Sequence, residues 1–388
     1  MVMNRWLILG GYMLLTACTQ LVWLSFAPIT DAAAHDLGAS VTQVGWLSAV
    51  FAGVYLLLGL PTGRLTDTHF SRALGFGAIC NALGAGVRLL APHNFAVQLL
   101  GQVILAVGQP FVVNAMSALA VRYFAPQERP KSIAAASASM FVGVLLASLS
   151  APLLYAAGGL PLVLGLHALP TVLAALWVLL ALRTHPTYDE RSAADTGGWA
   201  WLTRDRLLHK LGLLLFVGFG TFSALSTWLE PLLPKGISAT TSGNLLGGMV
   251  VGGIVGAATL PVWAAARGQR WSVLLCALLL TLGLLAVLAL GQTVGLLALA
   301  LGVGGFFLLA CLATVLEWAE EHVGAGKQGL AVGLLMLVGN AGSLALMLGV
   351  GSLVEQHPKL ALGLLALPVL LGLVMLLGMR GHTAKGQS

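Results

Sequence analysis

Few side chains in the apolar stretches of this sequence can form polar bonds, and three of them are amides in one segment. "GQVILAVGQPFVVNAMSALAVRYFAPQER" (101–129) carries Gln102, Gln109 and Asn114, and a proline follows the second glutamine. A polar group in hydrocarbon is costly unless it faces a cavity or a partner. The proline removes a backbone donor, which bends a helix and frees a carbonyl beside the amide. The pattern predicts the wall of a solute cavity; the alternative is an amide bond to a neighbouring helix, for example to Asn81.

Acidic residues are the other groups that could act chemically inside the apolar stretches, and only two touch them. Glu230 lies near the C-terminal end of the apolar stretch 209–233, and Glu317 lies at the C-terminal end of the stretch 293–318. Proton-coupled transport usually needs a titratable carboxylate near the middle of the membrane, and the first half of the sequence has none there. The pattern favours a uniporter, driven by the substrate gradient alone. A proton-driven exporter of drugs or metabolites stays open, because Glu230, Glu317 or His167 could carry the proton.

The composition places these residues in a membrane protein. The 388-residue chain is 58% hydrophobic and 8% charged, with a mean hydropathy of +0.95, whereas soluble domains carry about 25% charged residues. The net charge of +6 comes from basic residues in short loops, so we expect the lipid bilayer as partner, and no nucleic acid. The sequence contains no Ser–His–Asp set, metal-binding spacing or phosphate loop, so we expect neither an enzyme nor a cofactor.

Turn residues and charges divide the chain into twelve apolar spans, each long enough to cross about 30 Å of hydrocarbon. A polar segment, residues 183–208, separates an N-terminal six-helix bundle (1–182) from a C-terminal one (209–388), and we expect it to be a cytoplasmic linker. Pro61 and Pro261 each precede a basic turn, which is weak internal repetition of the kind that paired bundles show. The predicted spans are 6–30, 41–63, 73–91, 96–122, 132–156, 161–182, 209–233, 242–266, 271–290, 293–318, 328–350 and 358–379.

Basic residues predict the orientation of these spans. Of the 19 Lys and Arg residues, only Lys235 and Lys359 fall on the outer side, and Arg88 lies near an outer helix end. Cytoplasmic loops carry an excess of Lys and Arg. We therefore expect both termini in the cytoplasm of a multi-pass cell-membrane protein, and the short loops favour a bacterial inner membrane. The remaining basic residues share the predicted cytoplasmic side: Arg5, Arg64, Arg72, Arg122, Arg129, Lys131, Arg183, Arg191, Arg204, Arg206, Lys210, Arg267, Arg270, Lys327, Arg380 and Lys385.

The turn after the second span carries a recognisable motif. "GLPTGRLTDTHFSRALG" (59–75) resembles the cytoplasmic loop signature of the major facilitator superfamily, although two of its later positions differ. The resemblance implies an all-α fold of twelve transmembrane helices in two six-helix bundles, a monomer, and transport by alternating access. It also implies a conformational latch. Gly63 would permit close approach of helices, Asp67 would accept from a helix N-terminus or pair with an Arg of the neighbouring bundle, and Arg64 and Arg72 would supply charge.

The amide-bearing segment resembles one group within that superfamily, the feline leukaemia virus subgroup C receptor-related family. The shared features are a Gly-Gln pair, Gln-Pro-Phe, an Asn, and an ending, here "YFAPQER", in which Tyr123 stands where Trp is usual. Further segments resemble the same family: "QLVWLSFAPI" its first helix, "VGFGTFSALSTWL" its seventh, and "LEWAEEHVGAGKQGLAVGLLMLVGNAG" its tenth and eleventh. The resemblance covers most of the chain and is most specific in the fourth span.

This resemblance implies transport of choline or ethanolamine, with haem or a vitamin as the alternative that some members suggest. The family pocket uses a first-helix Trp and a fourth-helix Gln, which Trp23 and Gln109 match. Asn340 replaces an eleventh-helix Gln, and Phe222 stands where a seventh-helix Tyr is usual. An aromatic pocket suits a quaternary ammonium ion by cation–π attraction. The expected substrate-binding set is therefore Trp23, Gln109, Asn114, Phe222 and Asn340.

Overall fold

Each regular element in the described part of the chain is a helix. The computed structural model describes residues 5–183, 186, 188, 204–291, 293–323 and 328–383. Most of the predicted linker 183–208, together with Arg191, Lys327 and Lys385, lies outside these residues. The chain divides into two compact units, Met1–Ala194 and Asp195–Ser388, and the division falls within the predicted linker.

The helices of the two units follow the apolar spans closely. The first unit contains α1 (Arg5–Trp23), a 3-10 turn (Ala27–Ile29), α2 (Thr30–Leu37), α3 (Val41–Thr68), α4 (Phe70–Leu90), α5 (Phe95–Tyr123) and α6 (Arg129–Ala181). The second contains α7 (Arg206–Leu232), α8 (Ala239–Ala266), α9 (Arg270–Ala289), α10 (Val294–Val323), α11 (Gln328–Gly351) and α12 (Pro358–Thr383). Eleven stretches among the described residues are long and apolar enough to cross a membrane.

One of the eleven, α6, contains two of the predicted spans. It has 53 residues, and one straight helix of that many residues would be about 80 Å long, more than twice the hydrocarbon thickness. Its backbone leaves helical geometry at Gly158 and at Gly159, where φ is 66°. This is the left-handed region that glycine adopts without strain. Counted as two spans that meet at these glycines, α6 brings the described spans to the predicted twelve.

The two units share an internal packing pattern. In the first unit α1 packs on α6 and α3 on α5; in the second α7 packs on α11 and α8 on α10. A Cβ atom at Gly143 of α6 would lie 2.8 Å from the carbonyl carbon of Ala17 in α1. A Cβ atom at Gly342 of α11 would lie 2.7 Å from the carbonyl carbon of Phe216 in α7. Gly143 and Gly342 are 199 residues apart, and so are Ala17 and Phe216. The repetition predicted from sequence therefore extends to backbone-to-backbone contacts that require glycine.

Helix ends depart from the sequence prediction in three places, one of them the tenth span, which was predicted to end at residue 318 whereas α10 continues to Val323. The predicted first span, 6–30, is not one helix: α1 ends at Trp23 and is followed by a turn, the 3-10 turn and α2. The predicted second span ended at residue 63, but α3 continues to Thr68. Its last turns are stabilised by hydroxyl groups that donate to the backbone, since Thr66 Oγ1 lies 2.7 Å from the Gly63 carbonyl oxygen. Hydropathy reports the edge of the hydrocarbon, whereas a helix can continue into the polar interface.

Candidate functional site

Two glutamines on one face of α5 donate to neighbouring backbone, although Oε1 of Gln102 is buried without a partner among the described residues. Gln98 and Gln102 are one turn apart, and both are buried. Nε2 of Gln98 donates to the carbonyl oxygens of Arg88 at 2.8 Å and Ala91 at 3.1 Å, at the end of α4. Nε2 of Gln102 donates to the carbonyl oxygen of Leu47 in α3 at 3.1 Å. These amides fasten α5 to its neighbours, which is the commonest use of an amide inside a membrane protein.

Gln109 differs from these two amides. It lies eleven residues after Gln98, about three helical turns, and therefore on the same face of α5. Its side chain is half-buried, and it forms no hydrogen bond to any other described residue. Helix α5 runs on through Pro110, whose missing N–H leaves the Ala106 carbonyl without its helical donor. A free amide and a free carbonyl thus occur beside one another on this face.

The alternative bond from Gln109 to Asn81 does not form. Nδ2 of Asn81 instead donates to the Gly77 carbonyl oxygen in its own helix at 2.9 Å. Oδ1 of Asn81 accepts from the hydroxyl of Thr19 in α1 at 3.2 Å. Asn81 therefore joins α4 to α1 and leaves the amide of Gln109 available.

Asn114 is bound to α3 through its whole amide group. Its Nδ2 donates to the Gly59 carbonyl oxygen at 2.9 Å and to Thr62 Oγ1 at 2.8 Å. Its Oδ1 accepts from the hydroxyl of Tyr55 at 3.1 Å. A substrate could reach Asn114 only by exchange with these bonds. Tyr55, which sequence reasoning missed, is 7% exposed and was recognisable only as a polar aromatic residue in the middle of a span.

Trp23 forms the last residue of α1 and is held against α3. Its indole Nε1 donates to the Ser48 carbonyl oxygen at 3.0 Å, and the side chain is 8% exposed. Gln20 lies one turn earlier on the same helix face and is 6% exposed. Its amide forms no hydrogen bond to another described residue. Sequence reasoning did not assign Gln20 to the site; its spacing of three residues from Trp23 was the available signal.

The candidates of the second unit lie on α7 and α11. Phe222 is 3% exposed. Asn340 is half-buried, and its Nδ2 donates to the Met336 carbonyl oxygen of its own helix at 2.9 Å. Ser223 and Ser343 join α7 to α11 through hydroxyl oxygens 2.8 Å apart, and Trp228 Nε1 donates to the carbonyl oxygen of Met347 in α11 at 2.9 Å.

Buried hydroxyl groups are the polar feature of α7 that sequence reasoning passed over. Three hydroxyl oxygens of α7 are buried without a hydrogen-bond partner among the described residues; they belong to Thr221, Ser226 and Thr227. A serine or threonine within a helix usually donates to the carbonyl of the preceding turn. These three side chains are therefore available as donors if a polar group comes within reach.

The motif predicted as a latch lies on helices and not in a loop. Gly63, Arg64 and Asp67 occupy the last turns of α3, and Arg72 lies in the first turn of α4. A Cβ atom at Gly63 would lie 3.9 Å from Asn114, which is ordinary contact. Close helix approach within the first unit therefore does not require this glycine. The side chains of Arg64, Asp67 and Arg72 are exposed.

The carbonyl end of α3 is capped from α5. Nη2 of Arg122 donates to the main-chain carbonyl oxygen of Asp67 at 2.7 Å, and the guanidinium carbon lies 5.3 Å from the centre of the Phe70 ring. A cation at the C-terminus of a helix is stabilising because the helix dipole is negative there. Arg122 thus fixes the segment that carries Asp67, although it does so through the backbone and not through the carboxylate.

The two candidate coupling carboxylates lie in different surroundings. Glu230 is half-buried near the end of α7. Glu317 accepts from Arg270 at both carboxylate oxygens, at 2.7 and 2.9 Å, and the same guanidinium contacts Glu321. A bidentate pair of this kind stabilises the ionised carboxylate. Glu317 therefore joins the ends of α10 and α9, an arrangement that does not favour proton carriage.

A family model described as the Major Facilitator Superfamily matches residues 12–265. The chain is 32% identical over 278 residues to solute carrier family 49 member A3 of Danio rerio, covering 67% of this chain and 59% of that protein. The Xenopus tropicalis protein of the same name is 27% identical over 250 residues, covering 59% of this chain and 52% of that protein. The chain thus spans little more than half the length of these two relatives.

Two further likenesses cover nearly all of the chain. The human choline/ethanolamine transporter FLVCR2 is 23% identical over 393 residues, covering 91% of this chain and 73% of that protein. The crystal structure of a bacterial homologue of the human lysosomal transporter Spinster, in an inward-facing and unoccupied conformation, matches with a TM-score of 0.73 at 16% identity. That match covers 97% of this chain and 94% of the other, and it establishes the fold.

Proposed function

The chain belongs to the Major Facilitator Superfamily, and from that premise we propose that it carries a small organic amine across the membrane by alternating access. The substrate class is a quaternary or primary amine of the size of choline or ethanolamine. The residues proposed to contact it are Trp23, Gln109 and Asn114 in the first unit and Phe222 and Asn340 in the second. The relatives named as choline/ethanolamine transporters support this class.

The free amide of Gln109 is the observation that carries the proposal. The other amides of α5 donate to backbone or to side-chain oxygens, as Gln102 and Asn114 do, although Oε1 of Gln102 accepts no bond among the described residues. Gln109 instead keeps both its donor and its acceptor beside the free carbonyl of Ala106. An amide oxygen and a carbonyl oxygen are suitable acceptors for an ammonium group or for the hydroxyl of an amino alcohol. Such a substrate would restore the bonds that the proline removes.

Aromatic residues supply the second element of recognition. A quaternary ammonium ion has no N–H to donate, so it is held mainly by the face of an aromatic ring. The indole of Trp23 and the ring of Phe222 are both buried. The hydrogen bond from Trp23 Nε1 to the Ser48 carbonyl at 3.0 Å fixes the orientation of the indole. Attraction to an orientated ring would favour a methylated amine over a neutral solute of equal size.

The packing of each unit supports motion of the units as rigid bodies. Backbone contacts at Gly143 and Gly342 require α1 to stay against α6, and α7 against α11. Such contacts leave little room for sliding within a unit. We propose no obligatory proton, since Glu317 is held by Arg270 and the described spans of the first unit carry no carboxylate near their middle.

The orientation and assembly form part of the proposal. The excess of Lys and Arg on one side of the topology supports a cell-membrane protein with both termini in the cytoplasm. A monomer is the expected assembly. Alkaline phosphatase fused after residue 383 should be inactive in a bacterial host, because the enzyme requires export to fold; an active fusion would contradict this orientation.

Ligand-dependent stability tests the substrate class. The melting temperature of the purified protein should rise with the concentration of choline or ethanolamine, because a ligand that binds only the folded state stabilises it. The Trp23→Ala variant should lose the choline shift, whereas Trp263→Ala, which removes an exposed indole from α8, should keep it. A shift with an anion or with haem, and none with any amine, would refute the amine class while leaving the family assignment intact.

A further inference from the structure

Helix α1 ends inside the first unit in a buried turn. Trp23 is its last residue, and the chain then passes through residues 24–26 before the 3-10 turn begins at Ala27. Ser25 and Phe26 have no exposed surface. The last carbonyl groups of a helix have no partner within it. In a membrane these groups must find partners inside the protein, because the hydrocarbon offers none.

An arginine from another helix supplies one such partner. Arg88, in the last turn of α4, is only 2% exposed, and its Nη1 donates to the Val22 carbonyl oxygen at 3.2 Å. Its guanidinium carbon lies 4.8 Å from the centre of the Phe26 ring. Gln98 holds the base of the side chain, since its Oε1 accepts from Arg88 Nε at 3.4 Å. The cation therefore meets the negative end of the α1 dipole.

Packing alone does not explain this arginine. No carboxylate pairs with Arg88 in the part of the chain that the structure describes, and its Nη2 has no acceptor there. A buried cation with an unmatched donor lowers stability. Besides Oε1 of Gln98, the groups that face the guanidinium are the carbonyl of Val22 and the ring of Phe26, which flank the end of α1 on both sides. The contacts of Arg88 are thus directed at the segment that contains Trp23.

A histidine holds the same segment from α6. Nδ1 of His167 lies 2.9 Å from the hydroxyl oxygen of Ser25, and Nε2 lies 2.9 Å from that of Ser150. The Ser150 hydroxyl donates to the Leu146 carbonyl oxygen at 2.6 Å, so it accepts from Nε2–H of His167. The Ser25 hydroxyl also lies 3.1 and 3.2 Å from the carbonyl oxygens of Leu21 and Val22, so it either donates to Nδ1 or accepts from Nδ1–H while it donates to one of these carbonyls. In both arrangements His167 joins the turn after α1 to Ser150 of α6.

We infer that Arg88 and His167 are positioning residues that fix the indole of Trp23 for substrate binding. The inference rests on the proposed role of Trp23. On one side of Trp23 the Val22 carbonyl accepts from Arg88, and on the other side the Ser25 hydroxyl is bonded to His167. The indole Nε1 itself donates to the Ser48 carbonyl oxygen. The backbone on both sides of Trp23 and the Nε1 end of its indole are thus fixed. Loss of either holding residue would remove one of the restraints on the helix end that carries Trp23.

Fluorine spectroscopy of Trp23 tests the inference without reference to transport. The full chain is labelled with 5-fluorotryptophan, and the Trp23 resonance is assigned by its absence in Trp23→Phe. Arg88→Met should shift or broaden this resonance and raise the dissociation constant for choline at least five-fold. Arg88→Lys, which keeps the charge but loses the planar fork, should give an intermediate change. The matched control is Arg267→Met, since Arg267 lies 5.1 Å over the exposed ring of Trp263; the Trp23 signal should not move.

Variants of His167 provide an independent test if Arg88→Met does not fold. His167→Leu should also move the Trp23 resonance, and His167→Gln, which can donate and accept, should restore it. An unchanged Trp23 resonance in folded Arg88 or His167 variants would overturn the inference. A shifted resonance with unchanged choline affinity would overturn the link from position to binding. If Trp23→Phe also leaves affinity unchanged, the proposed binding role of Trp23 fails while the structural contacts stand.

Discussion

Replacement of Gly143 by alanine should destabilise the first unit by forcing two helices apart. The added Cβ atom would lie 2.8 Å from the carbonyl carbon of Ala17 and closer still to its oxygen. Two carbon atoms pack best at about 3.5–4.0 Å, so α1 and α6 must separate by about 1 Å. Both colliding atoms belong to helices, and neither is the end of a flexible side chain. No rotamer change can therefore relieve the collision.

Two opposed contributions determine how far Gly143→Ala changes the free energy of unfolding. Overpacking of a tight contact costs about 1–3 kcal/mol, and this site belongs at the upper end, whereas alanine regains about 1 kcal/mol of helix propensity over glycine. We expect a net loss of about 2 kcal/mol. Gly165, in the second half of the same helix, would have its Cβ atom in open space, so Gly165→Ala should be neutral or slightly stabilising.

Reversible unfolding in mixed detergent micelles, followed by circular dichroism, measures both variants. The free energy of unfolding should be about 2–3 kcal/mol lower for Gly143→Ala than for Gly165→Ala, because the first loses about 2 kcal/mol and the second gains at most about 1 kcal/mol. Equal stabilities would refute the assignment of a backbone contact between α1 and α6. Gly342→Ala in the second unit should repeat the Gly143 result, because its Cβ atom would lie 2.7 Å from a backbone carbon of α7.

Three further predictions concern polar bonds. Asn114→Ala should lower the unfolding free energy by about 1–2 kcal/mol, since each interhelical bond in a membrane contributes about 0.6 kcal/mol; no loss would mean that the α3 bonds are not formed. Glu317→Gln should leave the pH dependence of transport unchanged, because its carboxylate is engaged by Arg270; a flattened pH profile would favour a proton-coupled exporter. Burial alone would raise the pKa of Asp205, but hydrogen bonds from the Leu208 N–H and His322 hold it below the ordinary value. The contribution of the ionised Asp205 carboxylate to folding stability should therefore be present at neutral pH and be lost as the pH falls below about 3.9. Asp205→Asn should remove that part of the acid sensitivity, and an unchanged acid transition would contradict the bonds.

Hydropathy predicted the membrane-spanning helices, but it did not predict the short helix α2 or where several of the helices end. The apolar runs located the spans, because the cost of placing polar groups in lipid dominates the sequence. The break after Trp23 was not visible, since residues 24–29 are as apolar as the helix before them. The continuous α6 was predicted as two spans, which its length and Gly158–Gly159 bear out. The extension of α3 through Asp67 was missed because polar residues at an interface do not by themselves end a helix.

The candidate site was predictable as a set of residues and not as a set of bonds. Sequence reasoning selected Gln109 and Asn114 alike, as amides in one apolar span. The structure separates them, because Tyr55, Gly59 and Thr62 of α3 meet Asn114, whereas Gln109 meets no partner among the described residues. That difference depends on which polar groups of the neighbouring helices lie opposite each turn of α5, since Gln102, on the same face as Gln109, does bond to Leu47 of α3. A single sequence does not encode this packing in any local pattern.

Flux through Gln109 tests the central claim most directly. Purified protein in liposomes is loaded with radiolabelled choline, and efflux is measured for the wild type and for Gln109→Ala, with the unfolding free energy of each measured in parallel. The account predicts that the wild type transports choline and that Gln109→Ala loses at least nine-tenths of the rate, roughly 1.4 kcal/mol at the transition state, while its stability is unchanged. Equal rates in both proteins, or no choline flux in the wild type, would contradict the claim that this free amide binds an amine substrate.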